Sequence, residues 1–394
     1  MTAFAAVITG KGTGAISTIQ VFGDTAETVI KKIFRPAGKK PAIFQTGKIL
    51  LGKIIDAQET VDEVVIGCEG PDTFAIHCHG NPLINEMIMK LLRQHGAQLL
   101  TADRLLTKIL AAQKHINTIE LEAKLTQTMA KTLEGTKIIL NQIDTGLNKK
   151  AADWLDNGNP ISIEQIKIDV ERIIEKSRIA KLIIAGCKAA IVGPPNTGKS
   201  SLLNCLAGRQ KAIVTDIKGT TRDWVSAQCK VGPLLVEFID TAGLDEGLAA
   251  PPESAVEKAS QKKSVEILDD ADLVLLVLDN SQPVDQLIAG LVDKITGKKV
   301  LVVLNKSDLN SKLDTGRLPK FLKNTVQISA KFEIGIEDLT RKIQQLAGVA
   351  DFGLHTAVCF TARQEHLLKK LKNALSKEQA TSIITELLNG RLPV

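Results

Sequence analysis

Residues 193–201 read Gly-Pro-Pro-Asn-Thr-Gly-Lys-Ser-Ser and follow the apolar run Ala189–Val192. That composition suits a loop folded around phosphate. Glycines at 193 and 198 permit the turn and let backbone N–H groups approach the oxygens. Lys199 can reach the outer phosphates, and the Ser200 hydroxyl can ligate Mg2+. The helical stretch SSLLNCLAGR begins at once, so the loop joins a strand to a helix, the setting such a loop requires. Asn196, Thr197, Gly198, Lys199, Ser200 and Ser201 are its candidate contacts to a nucleotide.

Further segments fall in order behind it. The stretch 215–223, TDIKGTTRD, is a switch loop whose Thr215, Asp216, Ile217, Lys218, Gly219, Thr220 and Thr221 are candidate contacts and which supplies a threonine for Mg2+. Asp240, Thr241, Ala242 and Gly243 close the run LLVEFID. There Asp240 can hold Mg2+ through water, and the Gly243 N–H can approach the γ-phosphate. Asn305, Lys306, Ser307 and Asp308 close KKVLVVLN, where the Asp308 carboxylate can accept from both N1–H and the N2 amine of guanine. Adenine lacks that donor pair and would leave Asp308 buried and unpaired. Ser329 and Ala330 end the last apolar run, where backbone N–H groups can meet guanine O6. The set implies a GTPase acting on GTP with Mg2+, and an ATPase would have no use for Asp308.

The elements that must carry these residues are legible around them. From 188 on, the buried runs KAAIVG, LLVEFID, ADLVLLVLD, KKVLVVLN and TVQISA alternate with helical stretches, which implies a mostly parallel sheet covered on both faces. Residues 1–100 alternate short apolar segments (FAAVITG, ISTIQVFG, KILLGKII, VDEVVIGCEG, TFAIHCHG) and then carry the helical pattern INEMIMKLLRQHG, as a small α+β domain would. Residues 101–184 read as helix, with IELEAKLTQTMAKTLEGTKIILNQI as one long pattern and a break at Gly158-Asn159-Pro160. Helix returns after 348. The expected fold is therefore an α/β P-loop domain (185–348) inserted into a helical domain whose parts are 101–184 and 349–394.

Composition narrows the classes. There is no Tyr and there are only two Trp, so the cores are aliphatic and nothing suggests an aromatic platform for single strands. A net charge of +6 suits RNA no better than lysines on solvated helix faces. Six Cys without a CxxC pair fit reduced thiols rather than disulfides or zinc. No basic leader and no apolar run of membrane-spanning length occur, which predicts a cytoplasmic protein with no membrane partner. His77 and His79 would share one strand face with Cys78 on the other, so a metal site there is not expected.

GPPNTGKSS together with IVTDIKGTTRDWV and FIDTAGL resembles the MnmE (TrmE) family, bacterial GTPases of tRNA wobble-uridine modification, and the three-part layout is similar across the chain. The resemblance implies a folate-binding-like N-terminal domain that dimerises. It also implies a K+ ion in place of an arginine finger, held by Asn196 with Thr215, Ile217 and Thr220, while Ser200 and Thr221 take Mg2+. Lys218 stands where a small residue is more usual. Leu244 follows the DTAG segment, so no Gln is available there to orient water. The family's Glu a few residues on aligns at Pro252, which puts Glu253 one residue late as the expected water-positioning residue. A homodimer, tRNA and an FAD-dependent MnmG-like partner are implied.

Four departures qualify the resemblance. The family's terminal Cys motif finds no match in the closing TELLNGRLPV, and Cys359 lies far back. Gln20 stands where an Arg is expected and Ala75 where a Glu is, with His115 the nearest candidate for a Lys. Losing those charges argues against folate binding. Two functions stay open: the working GTPase of a tRNA-modifying enzyme, or a divergent paralogue using its G domain as a conformational switch.

Overall fold

The computed structural model describes residues 2–10, 12–38, 41–112, 117–156, 158, 161–209, 225–240, 265–287 and 289–390. Residues 1–121 and 122–390 form two compact units.

The first unit is a seven-stranded mixed sheet. In chain order it comprises β1 (Ala3–Val7), β2 (Ile16–Phe22), α1 (Ala26–Ile33), β3 (Phe34–Pro36), β4 (Ile49–Asp56), β5 (Glu59–Gly70), β6 (Thr73–His79), α2 (Pro82–Gln94), β7 (Ala97–Leu99) and α3 (Ala102–Ala112). The strands lie in the order β3-β4-β5-β6-β2-β1-β7. Alternate residues point to one face, so Ile19, Val21, Val64, Ile66, Phe74 and Ile76 meet Ile30 and Ile33 of α1 and Leu91 and Leu92 of α2 in one core. Asn81 starts α2 by accepting the Leu83 N–H at 2.9 Å, with Pro82 behind it at the first helical position. On the opposite face, Leu51, Val65, His77 and Thr18 line up across β4, β5, β6 and β2, and Ile49, Gly67, Ala75 and Gln20 form the next row.

The second unit combines helices with the sheet foreseen from the apolar runs. Helix α4 (Thr118–Gln127) spans the change from the first unit to the second, which continues with α5 (Leu133–Asp144), α6 (Leu147–Leu155) and α7 (Ile163–Ala185). Then come β8 (Cys187–Val192), α8 (Lys199–Arg209), β9 (Val225–Val231), β10 (Leu234–Asp240), β11 (Leu273–Asp279), α9 (Ala289–Ile295), β12 (Val300–Asn305), β13 (Thr325–Gln327) and α10 (Ile336–Ala347). α11 (Ala362–Lys372) and α12 (Lys377–Asn389) close it. The sheet order is β13-β12-β11-β8-β10-β9, parallel except for β9 against β10. Every residue of β11 and β12 is buried, as expected of central parallel strands covered on both faces.

Two polar side chains bind the chain before the sheet to the chain after it. Gln142 is fully buried yet satisfied: its Nε2 donates to the Ile138 and Thr356 carbonyls, and its Oε1 accepts the Leu147 and Val358 N–H groups. Glu122, 4% exposed, accepts from Arg363 Nε and Nη2 at 2.8 and 2.7 Å, from Gln364 Nε2 and from the Thr361 hydroxyl. Arg363 in turn donates to the Glu386 and Leu387 carbonyls near the C-terminus of α12. Because both carboxylate oxygens of Glu122 are met by donors, one of them a guanidinium, burial of the charge is tolerated. α11 packs on α7 and α12 on α6.

The sequence pattern misled in three places. The long helical run 119–143 is broken: Lys131 gives its N–H to the Ile184 carbonyl, and Thr132 caps α5 by accepting the Gly135 N–H at 2.9 Å. β9 was hidden because Gln228 and Lys230 interrupt its apolar positions, Cys229 and Val231, at the exposed edge of the sheet. α1 has only eight residues, too few for its apolar stripe to stand out.

All six cysteines are buried thiols, and none is joined in a disulfide. Burial pushes the Cys187 thiol up to about 12 and the Cys78 thiol up to about 11. Since the thiolate is the reacting form, the native protein should be inert to a disulfide reagent at about pH 8. All six should titrate in denaturant. A native thiol reacting at the denatured rate would contradict this packing.

Among the described residues, no helix is long and apolar enough to cross a membrane, and no group of His, Cys, Asp or Glu is arranged to hold a metal by itself. His77 instead pairs with Thr18 (3.0 Å) and His79 with Asp62 (2.7 Å).

Candidate functional site

The chemistry-bearing residues gather at the carboxyl ends of the parallel strands, where open α/β sheets bind ligands. Val192 at the end of β8 lies beside Leu276, Asp240 beside Ile191, and Asn305 beside Asp279. Between β8 and α8 runs the loop 193–198. Gly193 has φ +147°, and a Cβ there would lie 2.0 Å from the Val277 carbonyl oxygen. Gly198 has φ +92°, and a Cβ there would lie 2.3 Å from Asn305 Nδ2. Both positions therefore demand glycine, for conformation and for space.

Lys199 is 8% exposed, and its ammonium donates to the Gly193 and Pro194 carbonyls at 2.6 and 3.0 Å, which bends the loop around it. Thr197 is also buried and donates to the Pro194 carbonyl. Asn196 sits at the exposed tip with φ +62°, a conformation that Asn tolerates better than most residues. Ser201 is exposed on the first turn of α8.

Ser200 Oγ donates to Asp240 Oδ2 at 2.8 Å. Asp240 is 4% exposed, and among the described residues its Oδ1 has no partner. A buried carboxylate oxygen left over beside a hydroxyl is a hard, oxygen-only donor set, which fits Mg2+.

At the other end, Asn305 is 3% exposed and joins three loops. Its Nδ2 donates to the Thr197 carbonyl at 2.8 Å, and its Oδ1 accepts the Ala330 N–H at 3.0 Å. The Ala330 donor expected to face a base oxygen is thus spent on Asn305 in this structure. Asp308 is exposed rather than buried, and one of its oxygens accepts from the Ser329 hydroxyl at 2.6 Å. The base itself would have to bury it. Lys306, at φ +63°, pairs with Asp279 at 2.7 Å. Asp279 went unremarked in the sequence; the available signal was an acidic residue ending an apolar parallel strand level with Asn305.

Thr215–Thr221, Thr241–Gly243, Glu253 and His115 lie outside the described residues. Gln20, on the open face of the first unit, is 6% exposed and donates to Glu69 at 2.7 Å, and Ala75 is buried opposite it.

A glycine-bound phosphate loop, a carboxylate behind its serine and an Asn-Lys-Ser-Asp turn on one parallel sheet define a P-loop GTPase. Sequence comparison agrees. Residues 188–306 match the family model of the 50S ribosome-binding GTPase, and residues 3–103 match that of the GTP-binding protein TrmE N-terminus. The tRNA modification GTPase MnmE of Bacillus subtilis is 31% identical over 415 residues, spanning 95% of this chain and 89% of that one. The MnmE of Thermoanaerobacter sp. is 31% identical over 387 residues, with 89% and 83% covered. The G domain of the T. maritima FeoB iron transporter is 28% identical over 41% of this chain and 98% of its own, at a TM-score of 0.31, too loose an overlay to carry weight. The chain belongs to the MnmE family of tRNA modification GTPases.

Proposed function

We propose that this protein hydrolyses GTP with Mg2+ and K+ to drive C5-aminomethyl-type modification of the wobble uridine of tRNA, as a homodimer working with an MnmG-like FAD protein. The observation that carries the reading is the pairing, on one sheet, of the phosphate loop around buried Lys199 with the Asn305–Asp308 turn. A site without guanine selectivity would need only the first.

In this reading a G domain at 185–348 is inserted between helical parts at 101–184 and 349–394, behind an N-terminal domain at 1–100. The packing of α11 on α7 and of α12 on α6 supports it. Exposed Ile49 and Leu51 on the open sheet face, 75% and 62% accessible, suit a self-association surface.

Ser200 and Thr221 would hold Mg2+, with Asp240 behind, and Asn196, Thr215, Ile217 and Thr220 would hold K+. These cations would offset charge developing on the γ-phosphate as it departs. Lys199 and the amides around Gly198 orient the phosphates, Asp308 fixes the base, and Glu253 positions the attacking water. The buried Oδ1 of Asp240, lacking a partner among the described residues, supports the Mg2+ assignment.

Mass spectrometry of tRNA from a strain lacking this protein tests the modification reading. Wobble-uridine modification should vanish and return on complementation. If it is unchanged, the protein is a GTP-dependent switch on the same scaffold, a reading favoured by Gln20 and Ala75 standing where folate-binding charges are expected.

A further inference from the structure

The turn that meets the base is itself held by a shorter loop that follows β11. Asp279 and Asn280, 7% and 3% exposed, sit directly beside Asn305. Asn280 gives its N–H to the Asn305 carbonyl, and its own carbonyl accepts the Lys312 and Leu313 N–H groups. Its side chain takes the Ser311 hydroxyl at 3.2 Å. One residue thereby fixes the chain on both sides of the Asn305–Asp308 turn.

Asp279 acts on the side chain between. Its Oδ2 takes the Lys306 ammonium at 2.7 Å, and its Oδ1 accepts the Ser281 N–H and hydroxyl at 2.9 and 2.7 Å. Gln286 clamps its backbone by donating to the Asp279 carbonyl and accepting its N–H. Burial opposes ionisation of this carboxyl, but the bonds from Lys306 and Ser281 outweigh it and hold the group below the usual carboxylate range. Lys306 needs such an anchor, because its backbone occupies the left-handed region, where a lysine stays only if its surroundings enforce it.

We propose that Asp279 is a positioning residue for guanine recognition: by anchoring the Lys306 ammonium it holds the Asn305–Asp308 turn in the conformation that presents Asp308 to the base. The proposal rests on the guanine reading of that turn. Both carboxylate oxygens of Asp279 are committed to protein donors, so it works through Lys306 and not by touching the ligand.

The test is the release rate of fluorescent N-methylanthraniloyl-GDP from the full chain. Wild type that fails to retain this probe against excess ATP would defeat the guanine reading itself, a result separable from any difference between wild type and variants. Asp279→Asn and Lys306→Met should each release it at least about tenfold faster, while adding the first to the second changes the rate by less than about twofold. Release from Asp279→Asn within about twofold of wild type, or its full effect repeated on the Lys306→Met background, overturns the proposal. Should Asp279→Asn not fold, Lys306→Met alone decides: release within about twofold of wild type overturns the proposal.

Discussion

Replacing Asp308 with Asn should lower affinity for GTP by about three to five orders of magnitude and transfer the preference to xanthine nucleotides. Guanine offers two donors side by side, N1–H and the N2 amine, and a carboxylate accepts both. An asparagine turns one of those acceptors into an NH2 that meets the N2 amine donor to donor, leaving both desolvated and unpaired. Xanthine carries an oxygen at the same carbon and would accept that NH2. The Ser329 hydroxyl, 2.6 Å from one oxygen of Asp308, already fixes the side chain, so little reorganisation blurs the contrast. Competition binding with GTP and XTP reads the switch directly. An Asp308→Asn protein that still prefers GTP would mean that the base is read elsewhere.

The second large effect belongs to Gly193→Ala. At φ +147° any L-residue is strained, and the new Cβ would stand 2.0 Å from the Val277 carbonyl oxygen and 3.0 Å from its carbon. Both are backbone atoms of β11, the strand paired with β8, so no side chain can swing aside. The loop would have to leave the sheet end, carrying the Lys199 ammonium away from its carbonyl anchors. Strain of this kind costs about 1–3 kcal/mol before the clash is added, and GTP affinity should fall by at least about a hundredfold through misplaced amides. Gly208→Ala is the matched control. It lies on α8 with nothing within 4 Å of the added carbon. It should leave GTP binding intact and raise stability by roughly 0.5–1 kcal/mol. Equal GTP affinity in the two variants, measured by titration alongside thermal unfolding, would refute the account.

How far the residues announced this arrangement depends on the kind of signal each one carries. The phosphate loop and the Asn-Lys-Ser-Asp turn were readable because their types are dictated by ligand chemistry, and the runs before them by double-sided burial. Gln142 and Glu122 were not readable, and Asp279 was marked only by its place at the end of β11. A buried Gln, Glu or Asp has no periodicity to betray it, and its partners Val358, Arg363 and Lys306 are up to 241 residues distant along the chain. Edge strand β9 failed for the opposite reason, since half-exposed strands and loops share a composition. The exposed state of Asp308 could not be inferred either, because burial there depends on what the turn receives.

One side chain, Asn305, touches the carbonyl of Thr197 in the phosphate loop and the N–H of Ala330 beside the base turn. The two halves of a nucleotide therefore meet a single mechanical joint rather than two independent pockets. Ordering one loop should lower the entropy still to be lost by the other, and the covalent link between base and phosphates should add a chelate effect that unlinked fragments do not share. Guanosine and pyrophosphate supplied together but unlinked recover only a small part of that advantage. The same joint should work in reverse: emptying the phosphate end should slacken the grip on the purine.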